Sequence, residues 1–192
     1  APPLLGTLCL AFLVNFCAYP VTSGLLPYVA KNLYGTDQTG LGYLVAGFAS
    51  GALVGSIIMS RRGSTMRPAR MMLTFCGLWY VMLLIFAQME SLPAGMMVLF
   101  VTGCVQSLGM VPMAALLLRN SDVRYRGRLM GLRMLAIYGL PLGLLIAGPM
   151  IEHFGYRTMT TVYCTVGITF IVLIAVHWRE HLWRRDASAN RR

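Results

Sequence analysis

The sequence is poor in charged residues. Asp, Glu, Lys and Arg together make up 11% of the chain, against about 25% in a typical soluble protein. They leave six uncharged runs of 18 residues or more, at 1–30, 38–60, 71–89, 91–118, 134–151 and 158–178. A soluble helical protein carries charges at helical spacing along an outer face. These runs have no such face, so a soluble helical protein is excluded.

The length of the uncharged runs predicts transmembrane helices. About 20 apolar residues cross a hydrocarbon core of roughly 30 Å, and a helix satisfies its backbone hydrogen bonds within the segment. Hydrophobic residues form 57% of the chain, and the mean hydropathy is +0.68. The predicted fold is an all-α membrane bundle over 1–178, followed by a basic tail over 179–192. Its six predicted transmembrane helices cover 4–30, 39–60, 70–89, 93–118, 129–150 and 158–178.

The positive charge is confined to alternate connections. The net charge is +10, and thirteen of the sixteen basic residues fall in 61–70, 119–128 and 179–192. Cytoplasmic loops carry such an excess of Lys and Arg. The pattern therefore predicts a multi-pass protein with both termini of this segment in the cytoplasm. It also explains the charge without a nucleic-acid partner.

Catalytic and metal-binding patterns are absent from the sequence. The five cysteines lie within predicted spans without CxxC spacing, which favours free thiols that pack. Ser107 has no tight glycine turn around it and His177 lies at the edge of a span, so an intramembrane serine protease is not favoured. We expect no enzyme activity, no cofactor and no metal site.

Acidic residues are absent from the predicted spans. All six lie outside the uncharged runs, at Asp37, Glu90, Asp122, Glu152, Glu180 and Asp186. Ionisable groups inside a membrane mark ion and substrate pathways. If transport here is coupled to protons, the coupling carboxylate is expected outside this sequence.

Glycines recur at intervals of four or five residues in two spans. Gly47, Gly51 and Gly55 lie in the second span, and Gly139, Gly143 and Gly148 mark the fifth. Each span is the middle helix of a three-helix set, and the two sets cross the membrane in opposite directions, as in the inverted repeats of secondary transporters. Small residues let helix backbones approach closely in lipid. Static packing and a sliding contact between bundles are both compatible with the stripes.

Two stretches resemble the major facilitator superfamily. Residues 124–157 are similar to its eleventh-helix region, with Arg126-Gly127-Arg128, Pro141-Leu142-Gly143 and Phe154-Gly155-Tyr156-Arg157 as the shared elements. Residues 47–70 resemble the loop between helices eight and nine, where Arg61 and Gly63 fit a glycine-then-basic motif. Ser60 stands where the better-preserved copy of that motif has an aspartate.

The resemblance implies that the chain is the carboxy-terminal half of a twelve-helix secondary transporter, helices seven to twelve. An amino-terminal six-helix half is then the missing partner, together with membrane lipid, a small organic solute and, for a proton-coupled transporter, protons. The start at Ala1-Pro2-Pro3 agrees with a piece of a longer protein. The chain looks most similar to bacterial enterobactin exporters and drug-efflux proteins, which implies export by alternating access and the bacterial inner membrane. A stand-alone half that acts as a dimer and a non-transporting scaffold are the alternatives.

Polar residues in the first predicted span are candidates to line a substrate pathway, because polar side chains are costly in lipid. Asn15, Tyr19, Thr22 and Ser23 share one face at helical spacing, and Pro20 interrupts the helix beside them. The resemblance places this helix against the central cavity. An ordinary hydrogen-bond patch between helices is the alternative.

Further lining candidates lie in the fourth and fifth spans. Thr102 and Gln106 share a face of the fourth span, and Gln106 can donate and accept hydrogen bonds to a polar organic solute. Tyr138 is a candidate in the fifth span. Gln106 pairing with a neighbouring helix is the competing interpretation.

Charged residues near the cytoplasmic loops are candidates for an inner gate. Arg61, Arg67 and Arg70 are predicted to pair with Asp122 or with acids of the missing half. Arg133 either snorkels to the headgroups or contacts a gate or an anionic substrate. The gating candidates are Arg61, Gly63, Arg67, Arg70, Asp122, Arg126, Arg128 and Arg133.

Overall fold

The computed structural model describes residues 2–62, 68–119, 131, 134 and 136–177. These residues are helical apart from short turns, and they include no strand. Five of the helices are long and apolar enough to cross a membrane. The all-helical membrane class predicted from the uncharged runs is confirmed, whereas the count of six transmembrane helices stays a prediction.

The first helix, α1, runs from 2 to 33 and contains three π-helical turns, at Val14–Ala18, Pro20–Gly24 and Val29–Leu33. In each of them a backbone N–H bonds a carbonyl five residues back, as Leu25 does to Pro20 over 2.8 Å. Such turns are rare and occur mostly as single insertions in α-helices. Each one adds an extra residue to a turn, so it rotates the face of the residues that follow.

Four further helices complete the described structure. They are α2 at Gln38–Arg62, α3 at Pro68–Ala87, α4 at Leu92–Arg119 and α5 at Gly139–His177. Their bounds agree closely with the predicted second, third and fourth spans. Helix α3 ends at Ala87, where its apolar run gives way to Gln88 and Glu90.

Helix α5 folds back on itself at Gly155. This glycine has φ 80° and ψ 161° inside an otherwise helical stretch, a conformation that is essentially restricted to glycine. The Tyr163 hydroxyl donates a hydrogen bond of 2.6 Å to the Gly143 carbonyl, twenty residues earlier. Twenty residues of straight helix would separate these groups by about 30 Å. The helix is therefore a hairpin, with a first arm at 139–154 and a second arm at 156–177.

The hairpin replaces a connection that was expected to be longer. The sequence predicted a loop at 151–157 between the fifth and sixth spans. In the structure the residues on both sides of Gly155 are helical, because one glycine with positive φ reverses the chain. Residues 34–37 and 88–91 lie at the same end of the molecule as this turn, and together they form the short-loop end.

The glycine stripe of α2 packs against the backbone of α4. A Cβ at Gly51 would overlap the Phe100 carbonyl, and one at Gly55 would overlap the Cys104 carbonyl. Gly103 of α4 packs on α2 in the same way, since a Cβ there would overlap the Phe48 carbonyl. Because side chains are missing at these points, the two backbones touch. The predicted close approach through glycine is present here.

The first arm of α5 packs against α1 in the same manner. A Cβ at Gly139 would lie 3.0 Å from the Phe12 carbonyl oxygen, and one at Gly143 would overlap the Phe16 carbonyl. Phe16 precedes Pro20 by four residues. Because proline has no backbone N–H, it cannot donate the usual α-helical hydrogen bond to the Phe16 carbonyl. Gly148 differs from the other two, since it is exposed and an added Cβ there would meet no described atom within 4 Å.

Helix α3 supplies the largest side chains of the core. Trp79, Tyr80, Leu83 and Phe86 are fully buried. The Tyr80 hydroxyl donates a hydrogen bond of 3.1 Å to the Leu13 carbonyl of α1. Helix α3 thus ties α1 to the interior of the bundle.

The glycine contact between α2 and α4 predicts a sharp difference between two alanine substitutions. We expect Gly51→Ala to lower the free energy of unfolding in detergent by about 1–3 kcal/mol, since the new Cβ must push two backbones apart. Gly42→Ala on the same helix is the control, because a Cβ there meets nothing within 4 Å. Equal losses in the two variants would contradict the contact.

Candidate transport site between α1 and α4

The structure joins the polar residues of α1 and α4 that the sequence singled out. Gln106 Nε2 donates a hydrogen bond of 3.0 Å to the Tyr19 hydroxyl. Gln106 is 9% exposed and Tyr19 is half-buried. Two candidates from different predicted spans therefore form one polar cluster inside an apolar bundle.

Trp79 of α3 completes this cluster. Its ring meets the Tyr19 ring edge to face, with centroids 5.3 Å apart, a favoured geometry for aromatic pairs. The indole is fully buried, and its N–H has no hydrogen-bond partner among the described residues. The sequence analysis missed Trp79. A tryptophan in the middle of an uncharged run, where interfacial anchoring does not explain it, was the available signal.

The threonines of the candidate set bond their own helices. Thr22 Oγ1 donates to the Ala18 carbonyl over 3.2 Å, and Thr102 Oγ1 donates to the Val98 carbonyl over 2.6 Å. Both threonines are buried. Such bonds to the preceding turn satisfy a hydroxyl in an apolar environment, so these two side chains do not bridge helices and lie outside the cluster.

The other lining candidates lie in different environments. Asn15 is half-buried and its amide donates to the Ala11 carbonyl over 2.8 Å. Ser23 is exposed although its neighbour Thr22 is buried, so these two candidates do not share one environment. Tyr138 is 67% exposed. The structure brings Tyr19 and Gln106 together and leaves Ser23 and Tyr138 apart from them as surface residues. Their role as lining residues remains a prediction.

The cluster carries no charged side chain. Its polar groups are a phenol, an amide and an indole, which donate or accept hydrogen bonds without a formal charge. An isolated ion would cost several kcal/mol in such surroundings without a counter-charge. The chemistry of the cluster fits a neutral polar group.

The described gating candidates, Arg61 and Arg70, lie at the end of α2 and near the start of α3. Arg61 is exposed and Arg70 is half-buried. The Ser60 hydroxyl donates to the Ile57 carbonyl of its own helix over 2.8 Å, so this hydrogen bond stays within α2. Several gating candidates lie outside the described residues, namely Gly63, Arg67, Asp122, Arg126, Arg128 and Arg133.

A comparison with protein families decides the class of the molecule. The family model described as Major Facilitator Superfamily matches residues 8–191. The chain belongs to this superfamily. No curated protein matched the chain.

Membership of the Major Facilitator Superfamily assigns membrane transporter activity to the chain. The five long apolar helices agree with a multi-pass membrane protein. The family resemblance drawn from residues 124–157 and 47–70 is confirmed at this level. The subfamily and the correspondence to helices seven to twelve remain predictions.

The bond between Gln106 and Tyr19 predicts energetic coupling between the two residues. In a double-mutant cycle of Gln106→Leu and Tyr19→Phe, we expect a coupling of about 0.6–1.7 kcal/mol, the range for hydrogen bonds between membrane helices. The cycle is measured by unfolding in detergent. Thr102→Val replaces Gln106→Leu in the control cycle and should give no coupling, because its hydroxyl bonds α4 itself.

Proposed function

We propose that the chain is the carboxy-terminal half of a secondary active transporter that exports a small, neutral, polar organic solute by alternating access. The observation that carries this proposal is the hydrogen bond between Tyr19 and Gln106. It joins two residues that were selected independently as lining candidates, on helices that the family resemblance puts beside a central cavity. Their polar groups have the chemistry to bind such a solute.

Two matched helix contacts support a construction from inverted repeats. The stripe of α2 packs on α4, and the stripe of the first arm of α5 packs on α1. If 2–87 and 92–177 are two three-helix repeats, each stripe belongs to the middle helix of one repeat and packs on the first helix of the other. Transporters with this symmetry bind substrate near the midplane, between repeats. Tyr19 and Gln106 belong to the first helices of these two repeats, so the bond between them lies where the repeats meet.

The absence of charge from the cluster bears on energy coupling. Tyr19, Gln106 and Trp79 cannot act as proton carriers at neutral pH, so the proposed transporter takes its coupling carboxylate from the amino-terminal half. Helices of the two halves then rock about the shared site. The arginines of the predicted cytoplasmic loops serve as contacts of the inner gate in this proposal.

Two alternatives keep the same fold. A stand-alone half would complete the pathway with a second copy, and a scaffold descended from a transporter would move no solute. Flux into inverted vesicles distinguishes the scaffold from both transporters. Cross-linking of two copies in the membrane distinguishes the dimer from the paired halves.

The proposed topology predicts opposite labelling of two cysteine variants in a background without native cysteine. We expect Ser91→Cys to react with a membrane-impermeant maleimide from outside intact cells. Thr65→Cys should react only after the membrane is opened, because its loop is basic and is retained in the cytoplasm. Labelling of both from the same side would contradict the proposed topology.

The proposed site predicts a selective loss of transport. Inverted vesicles that contain the protein are offered a panel of neutral polar solutes, and we expect Gln106→Leu to raise the KM for the transported solute about tenfold, which corresponds to about 1.4 kcal/mol. Thr161→Val is the control, since Thr161 is exposed and donates to the Arg157 carbonyl of its own arm. An unchanged KM in Gln106→Leu would remove this residue from the site, and absent flux for every solute would favour the scaffold.

A further inference from the structure

The short-loop end contains a cavity, apart from the cluster between α1 and α4. It has a volume of about 560 Å³, within the range of sites for small molecules. Its walls come from the end of α1, from the 88–91 connection and from the turn of the α5 hairpin. The residues around it are Tyr28, Leu33, Met89, Glu90, Phe154, Gly155, Tyr156 and Arg157.

One wall of this cavity carries two opposite charges side by side. Arg157 Nη2 donates to Glu90 Oε1 over 2.6 Å, and the side chains are 49% and 79% exposed. The pair uses one nitrogen of the guanidinium and one oxygen of the carboxylate. The remaining four N–H groups of Arg157 and the second oxygen of Glu90 have no partner in the described part of the chain. They stay available to a ligand.

The arrangement of these charges selects the ligand. A simple anion on Arg157 would be repelled by Glu90, and a simple cation on Glu90 would be repelled by Arg157. A zwitterion meets both requirements, with its anionic oxygens on the guanidinium and its ammonium on the free carboxylate oxygen. Charge-assisted hydrogen bonds of this kind are short and strong.

The rest of the cavity has apolar walls that can contact the hydrocarbon part of a ligand. Leu33, Met89 and Phe154 give it apolar walls. The rings of Tyr28 and Tyr156 stack beside them, with centroids 6.1 Å apart. An amphipathic zwitterion would place its charged part on the ion pair and its hydrocarbon part on these side chains.

Two buried hydroxyls lie at the cavity wall. Tyr156 lines the cavity, and Thr160, one helical turn further on, is its interaction partner. Neither hydroxyl has a further hydrogen-bond partner among the described residues. Buried polar groups are nearly always satisfied by protein or water. A polar ligand, or water that enters with it, would satisfy them.

The position of the cavity, at the ends of the apolar helices, indicates that the zwitterion is a lipid headgroup. The apolar helices end here, at Leu33 and Ala87, and tyrosines cluster at the level of lipid headgroups in membrane proteins. We propose that this cavity binds the phosphoethanolamine headgroup of a membrane lipid, with the phosphate on Arg157 and the ammonium on Glu90. This inference requires helices that span a bilayer, and it is independent of the transported solute.

The first test measures thermal unfolding of the purified protein in detergent with added short-chain lipids that share the same tails. At ten times its dissociation constant, the ethanolamine lipid should raise the Tm by about 3 °C or more. The choline lipid should give less, because its trimethylammonium cannot donate a hydrogen bond to Glu90. The glycerol lipid should also give less, because its net negative charge is not balanced on Glu90.

Two substitutions identify the residues responsible. Arg157→Gln should abolish the shift by the ethanolamine lipid, and Glu90→Gln should abolish its advantage over the glycerol lipid. The matched controls are Lys31→Gln and Glu152→Gln, exposed residues outside the cavity lining, and both should keep the wild-type preference. Native mass spectrometry of retained lipid provides a second readout that does not depend on stability.

Three results would overturn the proposal. In the first, the wild-type protein shows no preference for the ethanolamine lipid in either readout. In the second, Glu90→Gln keeps the full preference. In the third, free phosphoethanolamine raises the Tm as much as the lipid does, which would identify a site for a soluble zwitterion instead.

Discussion

Direct contact between helix backbones is the interaction on which the rest of this molecule depends. Helices in lipid gain little from the hydrophobic effect when they associate, so van der Waals contact must hold them together. The closest contacts are at Gly51 and Gly103, between α2 and α4, and at Gly143, between α5 and α1. Ser107 then reaches the Ala52 carbonyl with a hydrogen bond of 2.8 Å. The glycine contact between α2 and α4 thus brings hydrogen-bonding groups within range.

These contacts also position the candidate transport site. Gly143 packs against the Phe16 carbonyl. Phe16 lies three residues before Tyr19 on α1. Gly103 lies three residues before Gln106 on α4. Because each member of the pair sits less than one helical turn from a backbone contact, the packing of the helices fixes the distance between them. The polar cluster is a product of the glycine stripes, although no glycine belongs to it.

Much of the helical framework could be predicted from the sequence, because hydropathy is a signal that accumulates over a whole span. The predicted spans at 39–60, 70–89 and 93–118 differ from α2, α3 and α4 by two residues at most. The register of α1 could not be predicted, since a regular helical repeat was assumed where π-turns occur. Thr22 and Ser23, predicted to share one face, lie in different environments. The pairing of Glu90 with Arg157 was also missed, because residues far apart in sequence carry no mutual signal.

The candidate site could also be predicted only in part, because the sequence marks single residues and does not show which residues pair in space. Polarity within an apolar run singled out Tyr19 and Gln106, while the aromatic partner Trp79 had no polarity contrast strong enough to mark it. The glycine spacing predicted a close neighbour for α2 but did not identify α4. Sequence patterns of this kind locate the faces that make contact, whereas the pairing of faces depends on the fold.

The tight turn at Gly155 fixes the number of residues that join the two arms of the hairpin. One inserted residue on either side would rotate the second arm by about 100° and shift it by about 1.5 Å. Tyr163 would then point away from the Gly143 carbonyl, and the buried face of the arm would turn outward. The length of chain between these two residues is therefore fixed by geometry.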